Sequence, residues 1–178
     1  MTCIFCDIVA GKAPSHPIWE DDHHLAFLSI FPNTEGASVV VPKRHSPSYA
    51  FDVHDDVLID LVLATGHVAR RLDGALQGVG RTAMVLEGFG VDHLHAKLFP
   101  MHGTQMAEWR PVSSTVRTHY ATYPGFIASH DGERADEAAL ASLAAKIRSH
   151  ISRADMHEDH LDRKVPVQRK WIRTGDMP

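Results

Sequence analysis

The chain has only two cysteines in 178 residues, and both fall within the first six positions. A disulfide framework is therefore excluded as a source of stability, and a reducing cytoplasm is the expected location. No apolar run approaches the ~18 residues that a bilayer span needs. The opening Met1-Thr2-Cys3-Ile4-Phe5-Cys6-Asp7 has neither a basic start nor a long apolar segment, which argues against a secretory signal. Positive charge is also in short supply. Eighteen Lys and Arg against 22 Asp and Glu give a formal net charge of −4, so no global basic field points to nucleic acid as the main partner. Repeats and low-complexity segments are absent. With 44% hydrophobic and 22% charged residues the chain has the make-up of an ordinary soluble protein, long enough for one domain with a proper core.

What is abundant is histidine, with 14 residues. Two of them open the most informative stretch, His93-Leu94-His95-Ala96-Lys97-Leu98-Phe99-Pro100. Strict alternation has the period of a strand, so His93, His95 and Lys97 share one face and Leu94, Ala96 and Leu98 the other. With the apolar set on the core, three basic groups line one open edge of a site. The plainer alternative is a half-buried strand with a solvated polar face.

The rest of the chain supplies the context. Cys3–Gly11 reads as a short turn or helix ended by glycine. Ile18-Trp19-Glu20, the acidic turn Asp21-Asp22 and Leu25–Leu28 form a hairpin by their pattern, and Ser38–Pro42 is a β-branched strand stopped by proline. From Asp55 to about Gln77, Val57, Leu58, Leu61, Val62, Thr65, Val68, Ala69 and Leu72 recur at three and four, predicting one long amphipathic helix. Asp52, Asp55 and Asp56 suit its start, and Arg70 and Arg71 its far end. Thr82–Leu86 is a strand joined through Glu87-Gly88-Phe89-Gly90 to the histidine stretch, so these two are expected as antiparallel neighbours. Beyond Pro100, Trp109-Arg110-Pro111 and Tyr120–Phe126 read as loops with aromatic anchors and Phe126-Ile127-Ala128 as a short strand. A second helix covers Asp136–Ile151, and a basic tail follows Asp159, better suited to solvent or a docking strand than to nucleic acid. The whole predicts an α+β domain with an antiparallel sheet.

Cys3-x-x-Cys6 places two thiols within reach of one ion, which is half a zinc site. His45 leaves the Val39–Val41 strand and His93 opens the next, so a Cys₂His₂ tetrahedron of Cys3, Cys6, His45 and His93 is the functional reading. The alternatives are a redox pair, lacking its βαβ context here, or two ordinary thiols near a terminus.

Cys3-Ile-Phe-Cys6-Asp7-Ile8, Trp19-Glu20-Asp21, Leu25–Leu28, Val40-Val41-Pro42-Lys43-Arg44-His45 and His93-Leu94-His95, taken in order, closely resemble the histidine triad (HIT) superfamily of nucleotide hydrolases and transferases. The resemblance runs from Cys3 to Pro100. It implies a HIT-like antiparallel sheet with one long helix packed on it, commonly paired as a homodimer. A catalytic core over 1–103 would be followed by a C-terminal extension over 104–178, packed on the same domain. His95 would be the nucleophile that attacks phosphorus and becomes nucleotidylated. Zinc-bearing bacterial relatives use the positions of Cys3, Cys6, His45 and His93, and four protein ligands make that zinc structural. Phe27 and Ile30 match base-pocket positions. The chemistry of His95 stands on its own terms too: a neutral imidazole attacks phosphorus well, provided one ring nitrogen is held by a hydrogen bond.

Four departures mark this chain. Lys97 replaces the third histidine, a position where the uridylyltransferase branch carries glutamine. At ~4 Å and an effective dielectric near 20, its charge is worth about 4 kcal/mol, favouring a phosphate oxygen and opposing protonation of His95. It is also a candidate proton donor, unless it points away to solvent. Ser29 stands where the family has a ribose-binding aspartate, and a hydroxyl accepts more weakly than a carboxylate. Leu86 replaces an asparagine. The Glu87–Asp92 loop is short, leaving backbone N–H groups near Gly88 and Gly90 to meet phosphate. The reading that follows is a HIT-like hydrolase of a phosphoanhydride, phosphoester or phosphoramidate of the dinucleoside polyphosphate type. Its rivals are a nucleotidyltransferase with a non-water acceptor and a catalytically weak nucleotide-binding or regulatory protein.

Overall fold

The computed structural model describes residues 3–149. A turn at Asp21 folds Pro17–Glu20 (β1) against His24–Leu28 (β2). It is fixed by the Asp21 carboxylate, whose Oδ1 accepts the N–H groups of His23 at 2.8 Å and His24 at 2.5 Å. Ser38–Pro42 (β3) pairs antiparallel with β2 in unbroken register, Leu25 opposite Val41 and Phe27 opposite Val39. Val79–Val85 (β4) and Ala96–His102 (β5) pair antiparallel as expected, and β5 docks on β3 to give a five-stranded sheet in the order β1-β2-β3-β5-β4. The α+β class predicted from sequence is the fold observed.

The two faces of the sheet are covered by very different helices. Asp55–Ala75 (α2) lies on one, burying Leu61, Ala64, Thr65, Val68 and Leu72 in a core shared with Ala26, Val40, Leu94, Ala96 and Leu98. Ile4–Val9 (α1) lies on the other, where Phe5, Ile8 and Val9 pack on Leu25, Phe27, Val39 and Val41. Register carries the alternation across the sheet: Lys97 is opposite Val39 and Val85, so it belongs to the α1 face, and Ala96 is opposite Val40 on the α2 face.

Several expectations are corrected. The strand begins at Ala96, not His93, because its β3 partner runs out at Pro42: that residue has no N–H, and its carbonyl is occupied by the His93 ring. The strand runs on through Pro100 to His102. Pro100 lies past the β3 pairing, which stops at Ser38 opposite Leu98, on a side of β5 where no strand asks for its N–H. The polar face is not an open edge, since His93 and His95 are both buried. Arg70 and Arg71 sit short of the last turn of α2, which runs on to Ala75, and Val62 is exposed. The predicted strand at Phe126–Ala128 is irregular chain.

The described chain separates into two compact units, one of residues up to Ser113 with Tyr120–Ser129, the other of Ser114–His119 with the residues from His130. The second contains Glu137–Ser149 (α3), whose start is capped by Asp136 accepting the Ala139 N–H at 2.8 Å. The predicted helix face of Leu140, Leu143 and Ile147 is exposed. Ile151 and the basic tail after Asp159 lie outside the described residues.

Candidate functional site

The start of α1 carries Cys3 and Cys6 one helical turn apart, and the chain leaving β3 and entering β5 carries His45 and His93. One ligand atom from each of the four lies within 4.8 Å of all the others. His93 Nδ1 is 3.4 Å from Cys3 Sγ and 3.5 Å from Cys6 Sγ, and His45 Nδ1 is 3.5 Å from Cys6 Sγ. A tetrahedron with Zn–S near 2.3 Å and Zn–N near 2.0–2.1 Å has ligand atoms about 3.3–3.8 Å apart, so the donor set fits the ion in chemistry and these three separations fit it in size. The His93 tautomer fits as well. Its Nε2–H donates to the Pro42 carbonyl at 2.8 Å, which leaves the Nδ1 lone pair for the cluster. Burial holds the His93 pKa below the ordinary value, and the neighbouring His45 and His95 add to this, keeping the ring in its ligating form. Without an ion, partial burial and the nearby Cys3 push the Cys6 thiol up.

His95 is two residues on and 2% exposed. Its Nδ1–H donates to the backbone carbonyl of His93 at 2.7 Å, which leaves the lone pair on Nε2. Burial lowers its pKa; the bond to the carbonyl opposes this, while the Lys97 charge lowers the pKa further and Glu87 raises it. The result is an imidazole neutral at physiological pH with one nitrogen oriented and the other available. Phe5, the residue between the two cysteines, stands edge-on to the His95 ring at 5.3 Å, to His93 at 5.9 Å and to Phe27 at 5.7 Å.

Lys97 is turned to Glu87, whose Oε1 accepts from its ammonium. The other oxygen of Glu87 accepts from the Tyr123 hydroxyl at 3.3 Å, and the Tyr123 ring packs on Phe89 with centroids 5.2 Å apart. Of the remaining expected residues, Phe27 is buried on the α1 face beside Phe5. Ser29 accepts the Phe31 N–H at 3.2 Å, and Ile30 is exposed. Gly88 has φ +67° and packs so closely on the Ser48 carbonyl that a Cβ would lie 3.0 Å from it. Gly90, at φ +95°, has open space around it. The structure thus gathers the four candidate metal ligands into one cluster, with Phe5 linking it to His95, sets Lys97 against Glu87, and leaves Ile30 in solvent.

Phe5, Glu87 and Tyr123 were not among the residues singled out from sequence. Phe5 had a signal, a large apolar residue inside the C-x-x-C spacer. Glu87 and Tyr123 are 36 residues apart in irregular chain, where no period exists to connect them.

The model of the HIT domain matches residues 10–104. An uncharacterized 16.1 kDa HIT-like protein of Mycoplasma pneumoniae is 35% identical over 106 residues, covering 57% of this chain and 73% of its own length. The adenosine 5'-monophosphoramidase HNT1 of Saccharomyces cerevisiae is 34% identical over 102 residues, covering 55% and 61% respectively. Among solved structures, a zinc-bound histidine triad family protein from Mycobacterium smegmatis superposes with a TM-score of 0.55 at 25% identity over 64% of this chain and 85% of its own. The sheet order, the histidine pair and the matched span agree, and the chain belongs to the HIT domain family.

Proposed function

We propose that the protein is a nucleotide hydrolase that cleaves a phosphoramidate or phosphoanhydride through a covalent nucleotidyl-His95. The observation that carries this reading is the His95 tautomer, fixed by the His93 carbonyl so that Nε2 is the free nucleophilic nitrogen. As Nε2 bonds to phosphorus, the bond to the leaving group breaks, and the leaving group takes that electron pair and a proton from solvent. Water then attacks the phosphorus and gives a proton back to solvent, the P–N bond breaks and its electron pair returns to Nε2. Lys97, within the field of His95, holds a phosphate oxygen as charge develops. The phosphoramidase activity named for the yeast relative supports the nitrogen-linked substrate class.

Cys3, Cys6, His45 and His93 would hold a zinc ion whose chemistry is structural, tying α1 and with it Phe5 to the chain that carries the nucleophile. The resemblance extends to pairing as a homodimer, which light scattering reads directly. Chromatographic turnover of adenosine phosphoramidates and diadenosine polyphosphates by native protein and His95→Ala tests the function. Turnover by the native chain and none by the variant supports it; equal turnover by both, or none by either, overturns it.

A further inference from the structure

The Lys97 ammonium beside the nucleophile is already spoken for. Glu87 is 10% exposed at its side chain, and both carboxylate oxygens have donors: Lys97 on one, Tyr123 on the other. Val85, the last residue of β4, is opposite Lys97 on β5, and the irregular chain that follows brings the Glu87 carboxylate onto the Lys97 ammonium. Tyr123 comes from chain beyond the family match and is braced by Phe89 from the same loop as Glu87. The slightly desolvated phenol, facing that carboxylate, has its pKa raised and stays a donor.

We propose that Glu87 is a positioning residue that makes this site a charge filter: it compensates Lys97, so the site accepts a phosphorus centre bearing one negative charge and rejects one bearing two. The proposal rests on the hydrolase reading and deepens it. Substrate phosphorus in an anhydride or phosphoramidate carries one ionised oxygen. Hydrolysis adds water, releases the leaving group with a proton and leaves a phosphomonoester, which loses a second proton with a pKa of about 6. The product therefore gains a charge inside a site that has a resident carboxylate next to the Lys97 ammonium. Glu87 turns that gain into repulsion and assists release, while the monoanionic substrate shares Lys97 without penalty. Tyr123 keeps the carboxylate turned toward Lys97.

The test uses equilibrium binding, which needs no turnover. AMP and its phosphate methyl ester share base and ribose and differ by one charge at about pH 8, where the monoester is a dianion. Calorimetric titration of the native protein should show the ester binding at least as tightly as AMP. In Glu87→Gln, AMP affinity should rise on the order of tenfold with the ester unchanged, the expected size for removing one like charge at a partly exposed site. Glu87→Asp, which keeps the charge, should restore the native preference, whereas a purely structural Glu87 would give two equally altered variants. AMP bound more tightly than its ester by native protein, or a Glu87→Gln variant that shifts both ligands alike, overturns the filter. If neither nucleotide binds, the nucleotide reading falls separately, and the same titrations with phenyl phosphate and its methyl ester decide the filter. Should Glu87→Gln fail to fold, the native preference alone decides.

Discussion

The two faces of the sheet are held by opposite means. The α2 face is covered by 21 residues of helix and closed with Leu, Val and Ala from every strand but the edges. The α1 face is covered by six residues, none of them buried, which is too short to be a helix by its own hydrogen bonds. What keeps α1 in place is Phe5 against Phe27 and the two histidines, and the cysteine pair against His45 and His93. One stretch of chain serves both: Leu94, Ala96 and Leu98 look to the large core, while His93, His95 and Lys97 look to the small one. The lesson is that stability and chemistry are divided by the pleat, so substitutions one residue apart in sequence should fail in different ways.

The sharpest break in that comparison is His95→Ala, which should remove on the order of 10⁶ in turnover and leave the thermal midpoint nearly unchanged. Loss of midpoint comparable to a core truncation would show that the small face also carries stability. On the large face, Leu61→Ala should cost about 2–5 kcal/mol in urea unfolding while zinc content per chain stays native. For the cluster, Cys6→Ser or chelation should take a bound zinc ion to none, measured by elemental analysis. Activity should fall with it because Phe5 and the carbonyl of His93 lose their brace, and no metal in the native protein would end this account. The smallest effect is expected at the hairpin. Partial burial alone would raise the Asp21 pKa, but hydrogen bonds from the N–H groups of His23 and His24 and from the His24 ring bring it below the usual carboxylate value. Its contribution is therefore present above the unfolded value of about 3.9 and lost as pH falls through the depressed folded value. Asp21→Asn should be about 1 kcal/mol less stable than native at neutral pH, and the gap should close in acid, as read by thermal melts across pH.

Much of this was legible because it is periodic or punctuated. The three-and-four spacing of Leu61, Thr65, Val68 and Leu72 gives α2, and the division of His93–Leu98 between two faces holds although regular pairing begins only at Ala96. The four candidate ligands were legible because a C-x-x-C pair is half a zinc site and histidines at strand ends can complete it, and the structure brings the four together. Burial of the histidine face was not, since nothing in an alternating pattern says that a short helix will cover it. Nor was the role of Glu87, whose partners Lys97 and Tyr123 are joined to it by tertiary folding alone.

His93 performs two tasks with two different parts of itself. Its side chain faces the cysteines, while its backbone carbonyl sets the tautomer of His95. Every amino acid has that carbonyl. Replacing the side chain at 93 would therefore abolish the proposed zinc site and still leave in place the carbonyl that orients the His95 ring. The two traits are stacked on one residue yet separable by substitution.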